Sequence, residues 1–514
     1  MTLSNRRITR AAGIVMATFV VSRVLGLARD VVISARFGTS GEYDVYVAVM
    51  RIPDTLFLLM AGGALASALI PALTAHFARN DEDGAWRLSS NIISLVLIAL
   101  AGASVVAAIF AGPLVTTILA PGFPAAQVAV AVPLLRILLV SPAIFGVSGV
   151  VMGILNARQQ FLLPGLAPSM YNLAIISGAI LTSNIYGLAV GAVAGAGLHL
   201  AVQAPGLLRL HARYTPQLHL RDPNVRHVLR LMAPRVFGLA VVQLNFLVET
   251  NLASRLAEGS VSALNYAWRV MLLPQGVVAQ SVATAAFPTF AEQFARGHTD
   301  QLRSTLSATL RAILFIAIPA SVGLLMMGTP LIQLLFERGE FRDTSTGLVA
   351  TALGFYALGL IGHSGVEILT RAFYALHDTR TPVAIGVVAL ILNLALSLSL
   401  IGPMQIAGLA LANTVASTTE MLLLIATLRS RLNGLDDRRV FVATTKIVAA
   451  SLIMAAGLGI FLHVTRDAST VARGVGGIAL GGIVFALSAL LLRMDELHRV
   501  GQSLRRRSDV QRRP

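Results

Sequence analysis

Long apolar runs alternate with short polar connections along almost the whole chain. A transmembrane helix needs about 20 consecutive, mainly apolar residues, and fourteen runs are long enough. Helix-breaking pairs such as Pro121-Gly122 and Gly402-Pro403 mark some of their boundaries. The pattern predicts an all-α polytopic membrane protein with fourteen transmembrane helices. The runs lie near residues 11–37, 43–77, 88–110, 130–155, 163–182, 186–208, 228–255, 261–294, 307–329, 347–376, 382–401, 404–428, 441–463 and 472–493.

The composition fits a membrane protein and argues against an enzyme. Of the 514 residues, 56% are hydrophobic and 12% are charged, whereas a soluble protein has about 25% charged residues. The chain has no cysteine, which excludes disulfides, thiol nucleophiles and cysteine-based metal sites. No phosphate-binding loop, HExxH or GxSxG motif appears in a plausible context. We therefore predict no enzymatic activity, no metal site and no cofactor.

The basic residues are distributed unequally between the connections. The net charge is +16, and with the N-terminus inside, 27 of the 40 Lys and Arg residues lie on the inner side and six on the outer side. The positive-inside rule then places both termini in the cytoplasm, as an even number of helices requires. The basic tail is predicted to contact anionic lipid at the cytoplasmic leaflet rather than nucleic acid. Five of its arginines are Arg505, Arg506, Arg507, Arg512 and Arg513.

The chain also repeats itself at an offset of about 212 to 221 residues. A parallel repeat of six helices predicts two lobes related by an axis along the membrane normal, with the substrate between them and alternating access by rocking. The predicted domains are 1–215, 216–435, the two additional helices at 436–493 and a basic tail at 494–514. The matching segments are 23–28 with 235–240, Pro71 with Pro288, 146–150 with 362–366, and 187–189 with 408–410.

The seven remaining basic residues, all arginines, are assigned to the membrane helices rather than to the connections. An arginine at the bilayer centre costs at least ~2.5 kcal/mol unless it faces a protein interior or a water-filled cavity. Guanidinium groups bind phosphate bidentately and stay charged in any environment, so the cluster predicts an anionic, phosphorylated substrate. The predicted substrate-binding residues are Arg23, Arg29, Arg51 and Arg269. The remaining three, Arg136, Arg235 and Arg371, lie near helix ends and favour an interfacial position.

The sequence allows two interpretations for each of several polar residues. Arg51 lines the cavity or pairs with Asp44 or Asp54. Asp44, near the outer end of helix 2, acts as a gate or caps the helix. Glu249 in helix 7 and Asn393 in helix 11 either couple transport to a proton or sodium ion or form structural hydrogen bonds.

Three segments closely resemble the MurJ (MviN) family of lipid II flippases, which belongs to the multidrug/oligosaccharidyl-lipid/polysaccharide exporter superfamily. They are Ser22–Asp30 (SRVLGLARD), the stretch from Asn265-Tyr266-Ala267-Trp268-Arg269 to Phe287-Pro288, and Arg371–Pro382 (RAFYALHDTRTP). The resemblance covers nearly the whole chain and implies fourteen helices.

The function that the resemblance implies is translocation of undecaprenyl-pyrophosphate-linked disaccharide-pentapeptide for peptidoglycan synthesis. The lipid would move from the inner to the outer leaflet of the bacterial cytoplasmic membrane by alternating access. The resemblance further implies that Arg23, Arg29 and Arg269 engage the pyrophosphate and that Asp44 is the acidic residue of helix 2. Helices 13 and 14 would form a groove for the lipid tail. Membrane potential, a proton or sodium would drive transport.

The chain departs from the family pattern in helix 2. Many members carry an Arg-Arg pair and a later Glu-Gly, where this chain has Phe57-Leu58 and Gly62-Gly63. Arg51 is a candidate replacement for the missing cation. Two alternative functions remain: export of another polyprenyl-pyrophosphate-linked saccharide or of drugs, and a scaffold that recruits cell-wall enzymes through the basic tail. A cation-drug exporter should bring carboxylates to its cavity, which counts against that alternative.

Overall fold

The computed structural model describes residues 3–60, 63–276, 280–494 and 496–497. All regular secondary structure in these ranges is helical. The helices up to residue 209 are α1 (Leu3–Phe37), α2 (Gly41–Met60), α3 (Gly63–Ala78), α4 (Glu82–Ile109), α5 (Ala111–Pro113), α6 (Ala125–Leu138), α7 (Ser141–Ala157), α8 (Leu162–Leu181), α9 (Tyr186–Ala201) and α10 (Ala204–Arg209), with a π-helical turn at Leu114–Leu119. The later helices are α11 (Pro223–Ala253), α12 (Ser260–Pro274), α13 (Gln280–Ala295), α14 (Thr299–Phe336), α15 (Asp343–Ala375), α16 (Arg380–Arg431), α17 (Asp437–Val464) and α18 (Thr470–Leu491).

The predicted all-helical membrane architecture is confirmed, and each predicted apolar run coincides with one or two of these helices. Ten helical spans within the described ranges are long and apolar enough to cross a membrane. The count of fourteen stays a prediction. One reason for the lower number is α16, which is continuous by hydrogen bonding but broken at Gln405, where φ is 48° and ψ is −126°. Two predicted runs, 382–401 and 404–428, lie on either side of that break.

The chain forms two compact units. Unit 1 comprises Met1–Ser262 and Arg338–Arg342, and unit 2 comprises Ala263–Glu337 and Asp343–Pro514. The units differ from the two repeats, because α11, the first helix of the second repeat, belongs to unit 1. The lobe boundaries inferred from the repeat stay a prediction.

Unit 1 is built on close contacts between small and apolar residues. Its core joins α3, α4, α7 and α11 through fully buried side chains such as Leu69, Leu100 and Val228. Helices α8 and α9 approach so closely that a Cβ atom on Gly178 would lie 2.3 Å from the carbonyl oxygen of Gly187. Glycine is therefore required at position 178, as is common where membrane helices pack backbone to backbone.

The core of unit 2 extends from α13 to α18. Buried side chains such as Phe290, Leu310, Phe373 and Leu428 form its main cluster. A smaller cluster of Met327, Met454 and Leu458 packs α17 against α14. Helix α14 has 38 residues, so at 1.5 Å per residue its length of about 57 Å exceeds the thickness of a bilayer.

A polar clasp joins the two ends of α16 outside the membrane-spanning segments. Asp378, in the turn before α16, accepts hydrogen bonds from the backbone N–H groups of Arg380 (2.9 Å) and Thr381 (3.0 Å) and from the Thr381 hydroxyl (2.6 Å). Arg431, in the last turn, forms an ion pair with the same carboxylate. Partial burial opposes ionisation of Asp378, but the hydrogen bonds from Thr381 and Arg431 outweigh it and lower the pKa of this carboxyl from 3.8 to about 2.

Replacing Asp378 with asparagine should destabilise the protein in a pH-dependent way. The charged clasp stabilises the fold above about pH 4, and its contribution is lost as the pH falls through about 2, because the folded-state pKa is the lower one. A hydrogen bond to a charged group contributes about 1.5–3 kcal/mol. Allowing for solvent screening, we expect D378N to lose about 1–2 kcal/mol at neutral pH.

Thermal unfolding of the detergent-solubilised protein over a pH series measures this effect. The difference between D378N and the wild type should shrink as the pH approaches 2. The control is Asp300→Asn, which removes a 95% exposed carboxylate that lies 3.6 Å from Arg303, and it should leave stability unchanged. A D378N deficit that stays constant down to pH 2 would contradict the assignment.

Candidate functional site

Arg29 of α1 is held in one orientation by two neighbours. Its Nε and Nη2 atoms donate to the same carboxylate oxygen of Asp30, at 3.1 and 2.9 Å. Its Nη1 donates to the side-chain oxygen of Asn172 on α8 at 3.1 Å. Asn172 is fixed in turn, because its amide nitrogen donates to the Ser22 carbonyl at 3.3 Å. Helices α1 and α8 together therefore define where this guanidinium points.

The hydrogen bonds of Arg29 leave part of the guanidinium available. The group has five N–H donors, and three of them are used by Asp30 and Asn172. One N–H on each terminal nitrogen has no acceptor among the described residues, and the side chain is 18% exposed. Two N–H groups on a fixed planar group match two oxygens of a phosphate. The structure thus places a charged, oriented donor pair at Arg29, although Asp30 neutralises part of its charge.

The other predicted cation of helix 1 has a different environment. Arg23 is exposed, and its guanidinium lies 5.0 Å from the centre of the Phe19 ring. A cation–π contact on an exposed residue is weak, about 0.5–1 kcal/mol. Arg23 is therefore much less constrained than Arg29, and its role in substrate binding stays a prediction.

Arg51 lies in a polar seam between α2 and α11. Its Nε donates to the Thr250 hydroxyl at 3.1 Å, and its guanidinium lies 5.0 Å from the centre of the Phe246 ring. One turn further along α2, the Thr55 hydroxyl accepts a hydrogen bond from Gln243 at 3.2 Å. Pairing of Arg51 with Asp44 or Asp54 stays a prediction.

Asp44 binds the beginning of another helix. The carboxylate is buried, and its two oxygens accept hydrogen bonds from the N–H groups of Gly259 (2.6 Å) and Ser262 (2.7 Å). These are free N–H groups at the start of α12, where a carboxylate is favourable. Glu258 does the same in return, since it accepts from the N–H of Gly41 at the start of α2 at 2.6 Å. Asp44 therefore caps the start of α12, and Glu258 caps the start of α2.

Further contacts extend this reciprocal capping into a junction of four connections. We define the loop junction as residues 35–41, 118–124, 251–262 and 338–342. The N–H of Glu340 donates to the Ala35 carbonyl at 2.9 Å, the N–H of Gly122 to the Ser254 hydroxyl at 3.2 Å, and the Asn251 side chain to the Ile118 carbonyl at 2.8 Å. These contacts hold the four connections together within unit 1.

Arg269 belongs to unit 2. It is partly buried on α12, and its Nε donates to the side chain of Asn265, one turn earlier, at 2.8 Å. The neighbouring Trp268 packs edge to face against Tyr356 and His363, with ring centres 5.4 and 5.1 Å apart. The aromatic contacts fix the helix face that carries Arg269. Joint binding of one substrate by Arg269 and Arg29 stays a prediction.

The two predicted ion-coupling residues occupy unlike surroundings. Glu249 is partly buried on α11, next to the Thr250 that binds Arg51. Asn393 is 3% exposed on α16 and accepts a long hydrogen bond of 3.5 Å from Ser397. Within the part of the chain that the structure describes, no three His, Asp or Glu side chains group together as a metal site would require. Ion coupling through these residues stays a prediction.

The remaining arginines have structural partners. Arg371 forms an ion pair with Glu367 at 2.6 Å and donates to the Thr284 hydroxyl at 2.5 Å. Arg136 is exposed and donates to the Ala108 carbonyl, near the end of α4, at 3.2 Å. The side chain of Arg235 and the basic tail from residue 498 onward lie outside the described residues.

Sequence reasoning missed several partners of these residues. Asp30 follows Arg29 directly, and adjacent residues on a helix do not normally face each other. Asn172 and Glu258 lie far along the chain from the groups they bind, so only the fold reveals those contacts. The motif Ser22–Asp30 did contain one signal, since an aspartate beside an intramembrane arginine is itself costly to bury.

The comparison with known proteins now decides the family. The profile described as "Lipid II flippase MurJ" matches residues 33–472. The chain belongs to this family. A lipid II flippase MurJ from Burkholderia cenocepacia is 32% identical over 426 residues, which cover 80% of this chain and 82% of the relative. The predicted family is confirmed.

Solved structures agree with the family. A lipid II flippase MurJ in an inward closed conformation is similar with a TM-score of 0.78 and 25% identity, covering 93% of this chain and 98% of that chain. An inward-facing multidrug resistance MATE family transporter of the MOP superfamily gives a TM-score of 0.70 at 16% identity, covering 81% and 96%. At that identity the MATE similarity shows the fold alone. The chain is therefore a multi-pass membrane protein of a transporter family.

Proposed function

We propose that this protein flips lipid II, the undecaprenyl-pyrophosphate-linked disaccharide-pentapeptide, from the inner to the outer leaflet of the bacterial cytoplasmic membrane. The observation that carries the proposal is the family match over residues 33–472. The protein works by alternating access, without covalent chemistry and without a catalytic residue. Both termini lie in the cytoplasm, as the distribution of basic residues requires.

Arg29 is the central binding residue in this proposal. A pyrophosphate carries its charge on oxygens that can accept both remaining N–H groups of a guanidinium. Because Asp30 and Asn172 already orient the group, little side-chain entropy is lost when the substrate binds. Arg23, Arg51 and Arg269 provide additional positive charge. Arg51 compensates for the arginine that this chain lacks in helix 2.

Asp44 acts as a gate through the loop junction. Opening of the loop junction breaks the hydrogen bonds that Gly259 and Ser262 donate to Asp44, together with the bond that Gly41 donates to Glu258. Substrate binding, together with the membrane potential or a proton or sodium gradient, offsets the loss of these hydrogen bonds. Glu249 and Asn393 are the proposed coupling residues, and α17 and α18 hold the lipid tail.

Two other proposals concern partners and the competing function. The basic tail contacts anionic lipid, and cell-wall synthesis proteins are further partners. Export of cationic drugs is disfavoured, because the groups predicted to line the cavity are arginines. Measuring the direct binding of lipid II and of a cationic dye to the purified protein separates the two functions.

Removal of Arg29 or Arg269 should slow flipping strongly. In proteoliposomes with lipid II on one leaflet, Arg29→Ala and Arg269→Ala should each reduce the translocation rate at least about tenfold, because a charge-assisted hydrogen bond contributes about 1.5–3 kcal/mol. Membrane potential, pH gradient and sodium are varied independently in the same assay. The control is Arg296→Ala, which removes only an exposed ion pair with Glu292. Wild-type rates in both arginine variants would refute the site.

Locking the loop junction should stop transport reversibly. A Cβ atom on Gly259 would lie 3.2 Å from the Cβ of Thr39 and 2.7 Å from the Thr39 carbonyl oxygen, so the two loops must move apart by several tenths of an ångström to reach the Cβ separation of about 3.5–4.5 Å found in disulfides. The chain has no native cysteine, so Thr39→Cys/Gly259→Cys forms a single defined bridge. We expect oxidation to stop lipid II translocation and reductant to restore it.

The two single-cysteine variants serve as controls for the lock. They report any strain at Gly259, where φ is +91°, and oxidation should not change their rates. If the oxidised double variant translocates lipid II as fast as the reduced one, the loop junction does not open during transport.

A further inference from the structure

The connection between α10 and α11 is fastened along one face of α4. We define residues 213–219 of this connection as the strap. The strap is not helical, yet five of its residues form hydrogen bonds with α4. The Ser90 hydroxyl donates to the Arg213 carbonyl at 3.4 Å and accepts from the N–H of Thr215 at 3.2 Å. All of these residues belong to unit 1.

Two further bonds continue this contact along α4. The N–H of His219 donates to the side-chain oxygen of Asn91 at 2.8 Å. The hydroxyl of Tyr214 lies 3.0 Å from the hydroxyl of Ser94. The strap therefore uses both its backbone and its side chains, as an ordered segment does, whereas surface connections are usually more mobile than the helices they join.

The groups on α4 that bind the strap share one face of the helix. Arg87, Ser90, Asn91 and Ser94 have the spacing i, i+3, i+4 and i+7, and the Arg87 carbonyl accepts from the side chain of Gln217 at 2.9 Å. The last three are only 1%, 3% and 6% exposed. Because a buried hydroxyl or amide without a partner is costly, the strap explains why polar residues occur at the start of this apolar helix.

The strap leads directly into α11, and the first turns of that helix are held in the same unit. Asp222 caps α11, since its carboxylate accepts from the N–H of Asn224 at 2.7 Å. Val225, Val228 and Met232 are 1%, 0% and 6% exposed and pack in the core that includes α3 and α4. Polar contacts of the strap and apolar contacts of the core therefore attach the same end of α11.

This attachment bears on how the two repeats move. The repeat assigns α11 to the second six helices, and the predicted boundary between residues 215 and 216 falls inside the strap. A hinge is a short segment that absorbs changes in φ and ψ. A segment with five bonded residues loses those bonds when it moves. The boundary predicted from the repeat is therefore a poor hinge.

We propose that the strap fastens the first turns of α11 to α4, and that this part of α11 stays with unit 1 throughout the transport cycle. The second repeat then separates from unit 1 beyond Met232 and not at the boundary of the repeat. The inference rests on the proposed function in requiring a transport cycle, whereas the attachment itself is a property of the protein without substrate.

Spin labels at Arg87→Cys and His227→Cys test the attachment, because both residues are exposed and the chain has no native cysteine. In nanodiscs without lipid II, the electron–electron distance distribution should be narrow. The double substitution Ser90→Ala/Asn91→Leu removes three of the five bonds and should broaden it. The control Ser104→Ala, which is also buried on α4 but lies beyond the strap, should leave it unchanged.

A second variant keeps the test decisive if Ser90→Ala/Asn91→Leu does not fold. Tyr214→Phe/Gln217→Ala removes two bonds from the strap side, where Tyr214 is 50% exposed, so the core stays intact. It should also broaden the distribution. A distribution that remains as narrow as that of the wild type in the variants that fold overturns the role of the strap.

A covalent lock tests whether the attachment persists during transport. Ser90→Cys/Thr215→Cys is bridged with a short bifunctional thiol reagent, and lipid II translocation in proteoliposomes should keep the rate measured before bridging. The Thr39→Cys/Gly259→Cys lock should stop translocation in the same assay. Loss of translocation on bridging the strap shows that the strap is released during the cycle and overturns the proposal. If the wild type does not translocate lipid II, the proposed function fails, but the spin-label result still decides whether the strap holds α11.

Discussion

An arginine side chain keeps its charge in an apolar environment, and the structure depends on how that charge is satisfied. Each solution in this chain is different. Arg371 is neutralised by Glu367 in the same helix, and Arg311 by Glu496 at the chain end. Arg136 donates to a carbonyl near the end of a neighbouring helix. Arg29 combines a fixed orientation with partial exposure and, among the described residues, with two N–H groups that have no acceptor. That combination is the reason for proposing Arg29 as a binding residue.

Several carboxylates of the chain accept hydrogen bonds from backbone N–H groups. Asp44 and Glu258 each bind N–H groups at the start of a helix, and Asp378 does so at the start of α16. Such bonds hold connections rather than substrates, because both carboxylate oxygens of Asp44 are already occupied. A transporter can therefore use arginines for the substrate and carboxylates for the ends of its helices. Breaking a cap of this kind changes the connection without altering the core.

The sequence predicted the helices well because length and hydropathy determine them. It also singled out Arg29 and Asp44, since charge inside an apolar run is visible directly, and their roles in binding and gating stay predictions. It did not predict the partners, because Asn172 lies 143 residues from Arg29 and Gly259 lies 215 residues from Asp44. Arg311 was assigned to a connection because a basic residue near the start of an apolar run looks the same in the sequence whether its partner is water or a buried carboxylate.

The central claim is that an oriented Arg29 recognises the pyrophosphate of a lipid-linked substrate. The most direct measurement compares the affinity of the purified protein for lipid II with its affinity for an analogue in which an uncharged linker replaces the pyrophosphate. We predict that Arg29→Gln weakens lipid II binding by about 10- to 100-fold, equivalent to about 1.5–3 kcal/mol. Asn172→Ala should weaken it less, and neither variant should affect the analogue. Unchanged affinity of Arg29→Gln for lipid II would contradict the account.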